Sequence, residues 1–287
     1  MQIGVVFPQL EIGVDPQGLR TYARGVRDLG YRHIVAFDHV LGADPVGHPG
    51  WSGAYDIDDC FHEPFALFSY LAAVVPEIEM VPGVIVLPQR QTVLVAKQAA
   101  QVDVLTGGRF RLGVGLGWNA VEFEGLGMDF RNRARRMEEQ IELLRILWTQ
   151  RTVTFHGRYH SIQAAGLNPL PVQRPIPIWF GATAEPALRR AARLGDGLFT
   201  LRPLPQGWSY TLDRLREWRR EAGRDPESFG IEARLPAHPV EPEHWRAKVE
   251  EWRQLGASHL SVTTMGGGLS GPDEHLRRLD QVMQAIA

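Results

Sequence analysis

Asp38 and His39 stand side by side directly after the apolar run His33–Phe37. A histidine can hydrogen-bond a cofactor or move a proton, and a neighbouring carboxylate can fix its tautomer or hold hydroxyls and ring nitrogens of a bound molecule. The same pair also suits a helix-capping Asp beside a surface His. A second group is Gly113-Val114-Gly115-Leu116-Gly117-Trp118, with Glu122 one helical turn beyond Trp118, so both side chains can face one pocket. Trp118 offers an apolar plane and one N–H donor. The glycines either let a flat ring approach the strand backbone or relieve crowding between strands. A third group, Gly181-Ala182-Thr183, leads into a helix beginning near Ala184. Backbone N–H groups at such a helix start bind anions, and Thr183 can cap or donate, provided the Glu185 carboxylate points away. His39 and Glu122 are thus the candidates for moving a proton. Asp38, Gly117, Trp118, Gly181, Ala182, Thr183 and the strand-end Thr200 are the candidates for holding a cofactor.

Other chemistries do not fit. Gly113–Gly117 fails as a dinucleotide fingerprint, because Trp118 stands where the third glycine belongs. His39, His48 and His62, with Asp44, Asp58, Asp59, Cys60 and Glu63, match neither zinc spacing nor His-Glu-x-x-His, so no metal is expected. There is no nucleophile elbow and no phosphate loop. A net charge of −2, with both signs interspersed, leaves no footprint for nucleic acid or a membrane surface. Cys60 is alone, which excludes an intramolecular disulfide and points to a reducing cytosol. Met1–Pro8 reads as a strand rather than a signal peptide, and no apolar stretch reaches the ~18–20 residues of a membrane span. The expected location is cytoplasmic.

The elements that must position these residues alternate along the chain. Strand-like runs lie at Ile3–Phe7, His33–Phe37, Met80–Leu87, Arg109–Gly117, Ile176–Phe180, Asp196–Leu201, Ile231–Leu235 and His259–Thr264. Helical spacing covers Leu19–Leu29, Pro64–Val75, Thr92–Leu105, Arg133–Thr149, Glu185–Leu194, Leu212–Ala222, Glu243–Leu255 and a final segment from Asp273. Thr152–Ile162 alternates at period two around His156-Gly157 and reads as a hairpin; Val40–Glu63 is a long loop. Eight strands, each followed by a helix, in 287 residues with no shift of composition predict one (β/α)8 barrel domain over 1–287, with a doubly wound sheet as the alternative. In a barrel the active site lies at the strand C-termini, where the candidates fall.

The string from Ala96-Lys97-Gln98-Ala99-Ala100 through Thr106-Gly107-Gly108-Arg109 to Gly117-Trp118 and Glu122 resembles the bacterial luciferase-like monooxygenase superfamily. So do Asp38-His39, Pro175–Gly181 and Ala191–Gly197. The resemblance implies a (β/α)8 barrel that binds coenzyme F420, a deazaflavin, or FMN at its strand C-termini. It places a bulged, non-proline cis peptide supporting the ring at Val84-Ile85, and it implies a homodimer. In the deazaflavin branch Asp38-His39 matches the pair beside the coenzyme ring, whereas Trp118 stands where a glutamate often follows the strand-four glycines. The expected activity is hydride transfer between the deazaflavin and a small organic substrate. The alternatives are an FMN-dependent monooxygenase using molecular oxygen, a non-catalytic flavin-binding relative and a metal-dependent barrel hydrolase.

Overall fold

Alternate residues of each short strand face opposite ways. Val5, Ile34, Met80 and Leu198 pack outward among the helices, while their neighbours Val6, Val35, Val81 and Phe199 turn inward to meet Trp179. In the computed structural model, which describes residues 1–286, this alternation runs around a closed parallel barrel.

The chain opens with β1 (Gln2–Val6), α1 (Pro16–Asp28), β2 (His33–Ala36), α2 (Pro64–Ala72), β3 (Glu79–Pro82), β4 (Ile85–Val86) and α3 (Thr92–Leu105). Next come β5 (Leu112–Gly115), α4 (Ala120–Gly125), α5 (Arg133–Thr149) and the hairpin β6 (Val153–His156) and β7 (Ser161–Ala165). The last part supplies β8 (Ile178–Ala182), α6 (Glu185–Leu194), β9 (Gly197–Thr200), α7 (Trp208–Glu221), β10 (Gly230–Pro236), α8 (Pro242–Gln254), β11 (His259–Thr263) and α9 (Gly271–Ile286). The strand order is β3-β2-β1-β11-β10-β9-β8-β5-β4, parallel at each pairing.

β3 and β4 are two halves of one stave, separated at Gly83–Val84, whose peptide bond is cis. Met80 also bridges Phe110 just ahead of β5, which closes the ring into eight staves. Closure selects the (β/α)8 barrel over the doubly wound sheet. The expected third strand, Met80–Leu87, is therefore interrupted, and the cis bond lies one residue before Val84-Ile85. α4 is a short helix inside the connection from β5 to α5, too brief to leave a periodic signal. α1 begins earlier than the apolar spacing implies, because the Asp15 carboxylate accepts from the amides of Gln17 and Gly18 at 3.2 and 3.1 Å. The hairpin forms as expected, and Glu139 holds its turn by accepting from the Arg158 and Tyr159 amides at 2.7 and 2.8 Å. Among the described residues no helix is long and apolar enough to cross a membrane.

The N-terminal end of the barrel is shut by a buried polar cluster. Arg111 pairs with Glu79 and Glu232, each at 2.9 Å, and lies 4.3 Å over the Trp179 ring. Glu232 also meets His33 Nε2 at 3.0 Å and accepts from the Ser261 hydroxyl. Burial works against the Glu232 charge, but Arg111 and His33 overcome it and hold the carboxyl far below the ordinary range. With the bottom ionic and the Val6, Val35, Val81, Trp179 and Phe199 layer apolar, the barrel interior opens at its C-terminal mouth.

Candidate active site

The staves open at their C-terminal ends into a cavity of about 490 Å³. Its walls bring together Asp38 and His39 after β2, Val84 at the stave break, Gly117, Trp118 and Glu122 after β5, and Gly181–Thr183 at the end of β8.

Asp38 is buried and fully engaged. Its Oδ2 accepts from the Val86 amide at 3.0 Å and its Oδ1 from Arg90 at 2.6 Å, and Arg90 reaches on to Glu63 at 3.0 Å. Burial pushes the Asp38 carboxyl up, and Arg90 and the Val86 amide offset that only in part. Asp38 thus ties the end of β2 to β4 rather than standing free for a ligand. His39 is boxed by aromatic rings, with centroids 4.6 Å to Phe61, 4.9 Å to Tyr55 and 5.6 Å to Trp118. Its Nδ1 lies 3.5 Å from Glu122 Oε1. That oxygen also accepts from the Val40 amide and, at 3.2 Å, from the Leu41 amide. Burial would raise the Glu122 pKa, but His39 and the two amides hold it below the usual carboxylate value. Glu122 reaches this place because Asn119 caps α4, accepting from Val121 at 3.1 Å and Glu122 at 3.4 Å.

The opposite wall is built on the start of α6. Its N-cap is Ala184, whose side chain supplies no acceptor; Pro186 brings no N–H and the Ala187 amide already donates to the Ala184 carbonyl at 2.9 Å, so of the first three helical residues only Glu185 keeps an open amide, and Thr183 lies at the cavity wall instead of capping the helix. The Glu185 carboxylate turns to Arg189 at 3.3 Å on the outside. The open Glu185 amide and the Thr183 hydroxyl are what this wall offers an anion. Of the strand-four glycines, Gly113 answers to crowding: a Cβ there would stand 1.9 Å from the Pro82 carbonyl oxygen. Gly117 has φ +72° and lines the cavity; a side chain there is strained, and its Cβ would stand 2.4 Å from Val86 Cγ1 and 3.2 Å from the Phe123 ring.

The model of the luciferase-like monooxygenase family matches residues 1–270. The chain belongs to that family. An uncharacterized protein of Mycobacterium tuberculosis is 38% identical over 164 residues, 57% of this chain and 56% of its own length. An FMNH2-dependent dimethylsulfone monooxygenase of Pseudomonas putida is 31% identical over 186 residues, 63% of this chain and 51% of its own length. In both matches the chain spans about half the relative. A solved structure, the coenzyme F420-dependent tetrahydromethanopterin reductase of Methanopyrus kandleri, superposes with TM-score 0.76 at 15% identity over 99% of this chain and 98% of the reductase. That likeness shows the luciferase-like barrel.

Of the residues singled out in this luciferase-like chain, His39, Glu122, Asp38, Val84, Gly117, Trp118, Gly181, Ala182 and Thr183 line the one cavity. Ile85 and Thr200 do not. Ile85 packs in the core outside the barrel, because the register at the break turns Val84 inward and its neighbour outward. Thr200 lies below the mouth, where its hydroxyl donates to the Glu232 carbonyl at 3.0 Å. Several wall residues lie outside the expected set, and those with aromatic or charged side chains are Phe37, Tyr55, Arg133 and Arg234. The signals were present as aromatic residues in the 40–63 loop and as two charges, Glu232 and Arg234, at i and i+2 in an otherwise apolar strand.

Proposed function

We propose that this chain is an oxidoreductase whose mouth cavity takes coenzyme F420 together with a small organic substrate, a hydride passing between them. The observation that carries the reading is the convergence of His39, Trp118 and the uncapped start of α6 on one cavity of about 490 Å³, within the usual range for small-molecule sites. When bound, the coenzyme supplies the two-electron chemistry. The protein's part is to hold and to exclude water. The Glu185 amide and the Thr183 hydroxyl suit the coenzyme phosphate. Val84, Gly115 and Gly117 form a wall without polar side chains for a flat ring. His39, with Nδ1 toward Glu122, keeps Nε2 as the nitrogen that can hold or move a proton at the ligand.

The deciding experiment is titration of the purified protein with F420 and with FMN, followed by absorbance. Saturable F420 binding, and F420 reduction or oxidation that depends on a substrate and falls by about 10²–10⁴ in His39→Ala while the coenzyme still binds, is the expected result. Failure to bind either cofactor overturns it.

A second reading, an FMN-dependent monooxygenase, is favoured by the similarity to the Pseudomonas putida enzyme. Oxygen uptake with reduced FMN would select it. We also propose a homodimer, supported by the exposed Val93, Leu94, Val104 and Leu105 of α3. Mass measurement by light scattering on wild type and on the Leu94→Glu, Leu105→Glu double variant tests that.

A further inference from the structure

Arg234 sits on β10 with its side chain directed into the mouth cavity, its guanidinium 4.9 Å from the centre of the Phe37 ring. Among the described residues it has no hydrogen-bond or ion-pair partner; the carboxylate whose charge it feels is that of Glu232. Glu232 is already committed to Arg111, His33 and Ser261 one layer below. The other arginines around the barrel differ. Arg90 is matched by Asp38 and Glu63, and Arg111 by Glu79 and Glu232. Arg133, also on the cavity wall, spends one nitrogen on the Phe130 carbonyl at 2.7 Å and stacks on that ring at 3.7 Å.

Arg234 is half-buried, so its guanidinium meets the cavity with no counter-charge opposite it, and a ligand oxyanion that accepts its fork gains charge-assisted hydrogen bonds there. The Phe37 face fixes the plane of the fork, and Tyr55, on the same wall and 4.9 Å from His39, adds a hydroxyl beside it. We infer that Arg234 anchors an oxyanion, a carboxylate or sulfonate, carried by the small organic substrate at the end of the cavity where His39 and Tyr55 meet. The inference deepens the oxidoreductase reading and rests on it for the word substrate. It names the substrate class: acids in preference to their neutral amides or esters. The cofactor phosphate has its own place at the α6 start, so Arg234 is left for the second ligand.

The test uses the full chain, unloaded and loaded with F420 or FMN, and titrates benzoate, benzenesulfonate and neutral benzamide by calorimetry and by perturbation of the cofactor spectrum. The expected result is that the two anions bind at least about tenfold more tightly than benzamide. Arg234→Met should remove the preference and Arg234→Lys keep part of it, with cofactor affinity unchanged in both. Equal binding of benzoate and benzamide by the wild type overturns the inference. So does an Arg234→Met variant that loses cofactor affinity as steeply as benzoate affinity, since Arg234 would then belong to the cofactor. If neither cofactor binds, the oxidoreductase reading falls, while the anion preference of the unloaded chain still decides the role of Arg234. Thermal melts of Arg234→Lys beside Arg234→Met separate loss of the anchor from loss of the fold.

Discussion

Glu122 Oε1 faces His39 Nδ1 at 3.5 Å while accepting the amides of Val40 and Leu41, so a single oxygen fixes both the imidazole and the first turn of the long loop behind it. The bonds explain why a carboxylate 1% exposed stays ionised. It is a positioning group in this arrangement, and its charge serves the loop as much as the histidine.

Glu122→Gln keeps the shape and removes the charge. The expected cost is about 1.5–3 kcal/mol in urea unfolding, the usual worth of hydrogen bonds to a charged group. Hydrogen exchange at the Val40 and Leu41 amides should accelerate in parallel. Protection at those two amides equal to wild type would show that the loop is held by something else.

The polar floor of the barrel predicts a graded response to acid. Glu232 has its folded pKa held below its unfolded value, so its stabilisation is complete above about pH 4.5 and is lost as pH falls further. His259 adds an earlier component. Burial, with the Arg111 charge and His33, lowers its pKa from 6.5 to about 3, so the unfolded chain takes up a proton below pH 6.5 that the folded chain refuses. Melting temperature should therefore begin to fall near pH 6.5. His259→Gln should remove part of the slope between about pH 6.5 and 4.5, the rest belonging to His275, whose pKa burial lowers to about 4, and leave the Glu232 limb below it. At neutral pH Glu232→Ala should cost about 3–5 kcal/mol, since it strands Arg111 in the interior.

How much of this was legible in the chain depends on distance along it. The strand–helix alternation and the residues just past each strand could be read locally, and barrel topology gathers all such residues on one face, which is why nine of them meet. Tyr55 and Phe61 were hidden because nothing local says that a loop folds back over His39. Arg234 required knowing which face of its strand turns inward. Ile85 illustrates the limit of strand parity: the period-two pattern of Val84-Ile85-Val86-Leu87 does not say which residues look in, and the break at Gly83–Val84 decides it.

Gly113 marks where β5 and β3 come closest. Its missing side chain leaves the Pro82 carbonyl only 1.9 Å from where a Cβ would lie, and the Phe199 ring only 2.8 Å. The nearest obstacle is backbone, which has no rotamer with which to move aside. Gly113→Ala should destabilise by about 1–3 kcal/mol or more, as overpacking does in a well-filled core. A stability within 0.5 kcal/mol of wild type, roughly that of a neutral surface change, would mean the strands separate easily.

Thr183 and the start of α6 carry the clearest prediction for binding. The first amides of α6 lack a side-chain cap, and the only acid of that turn, Glu185, is turned outward to Arg189. Thr183→Asp would set a carboxylate at this wall, where its charge repels an incoming phosphate. The folded protein should be unchanged in a thermal melt, because position 183 precedes the N-cap and Pro186 has no N–H for its side chain to accept. Affinity for F420 or FMN should fall by about tenfold or more, the equivalent of 1.4 kcal/mol. Riboflavin, which has the ring and no phosphate, should bind wild type and Thr183→Asp alike, because its ring meets the other wall. If riboflavin and FMN weaken together in Thr183→Asp, the substitution disturbs the ring and the phosphate sits elsewhere. If FMN binds the variant as tightly as wild type, the α6 start is not its anion site.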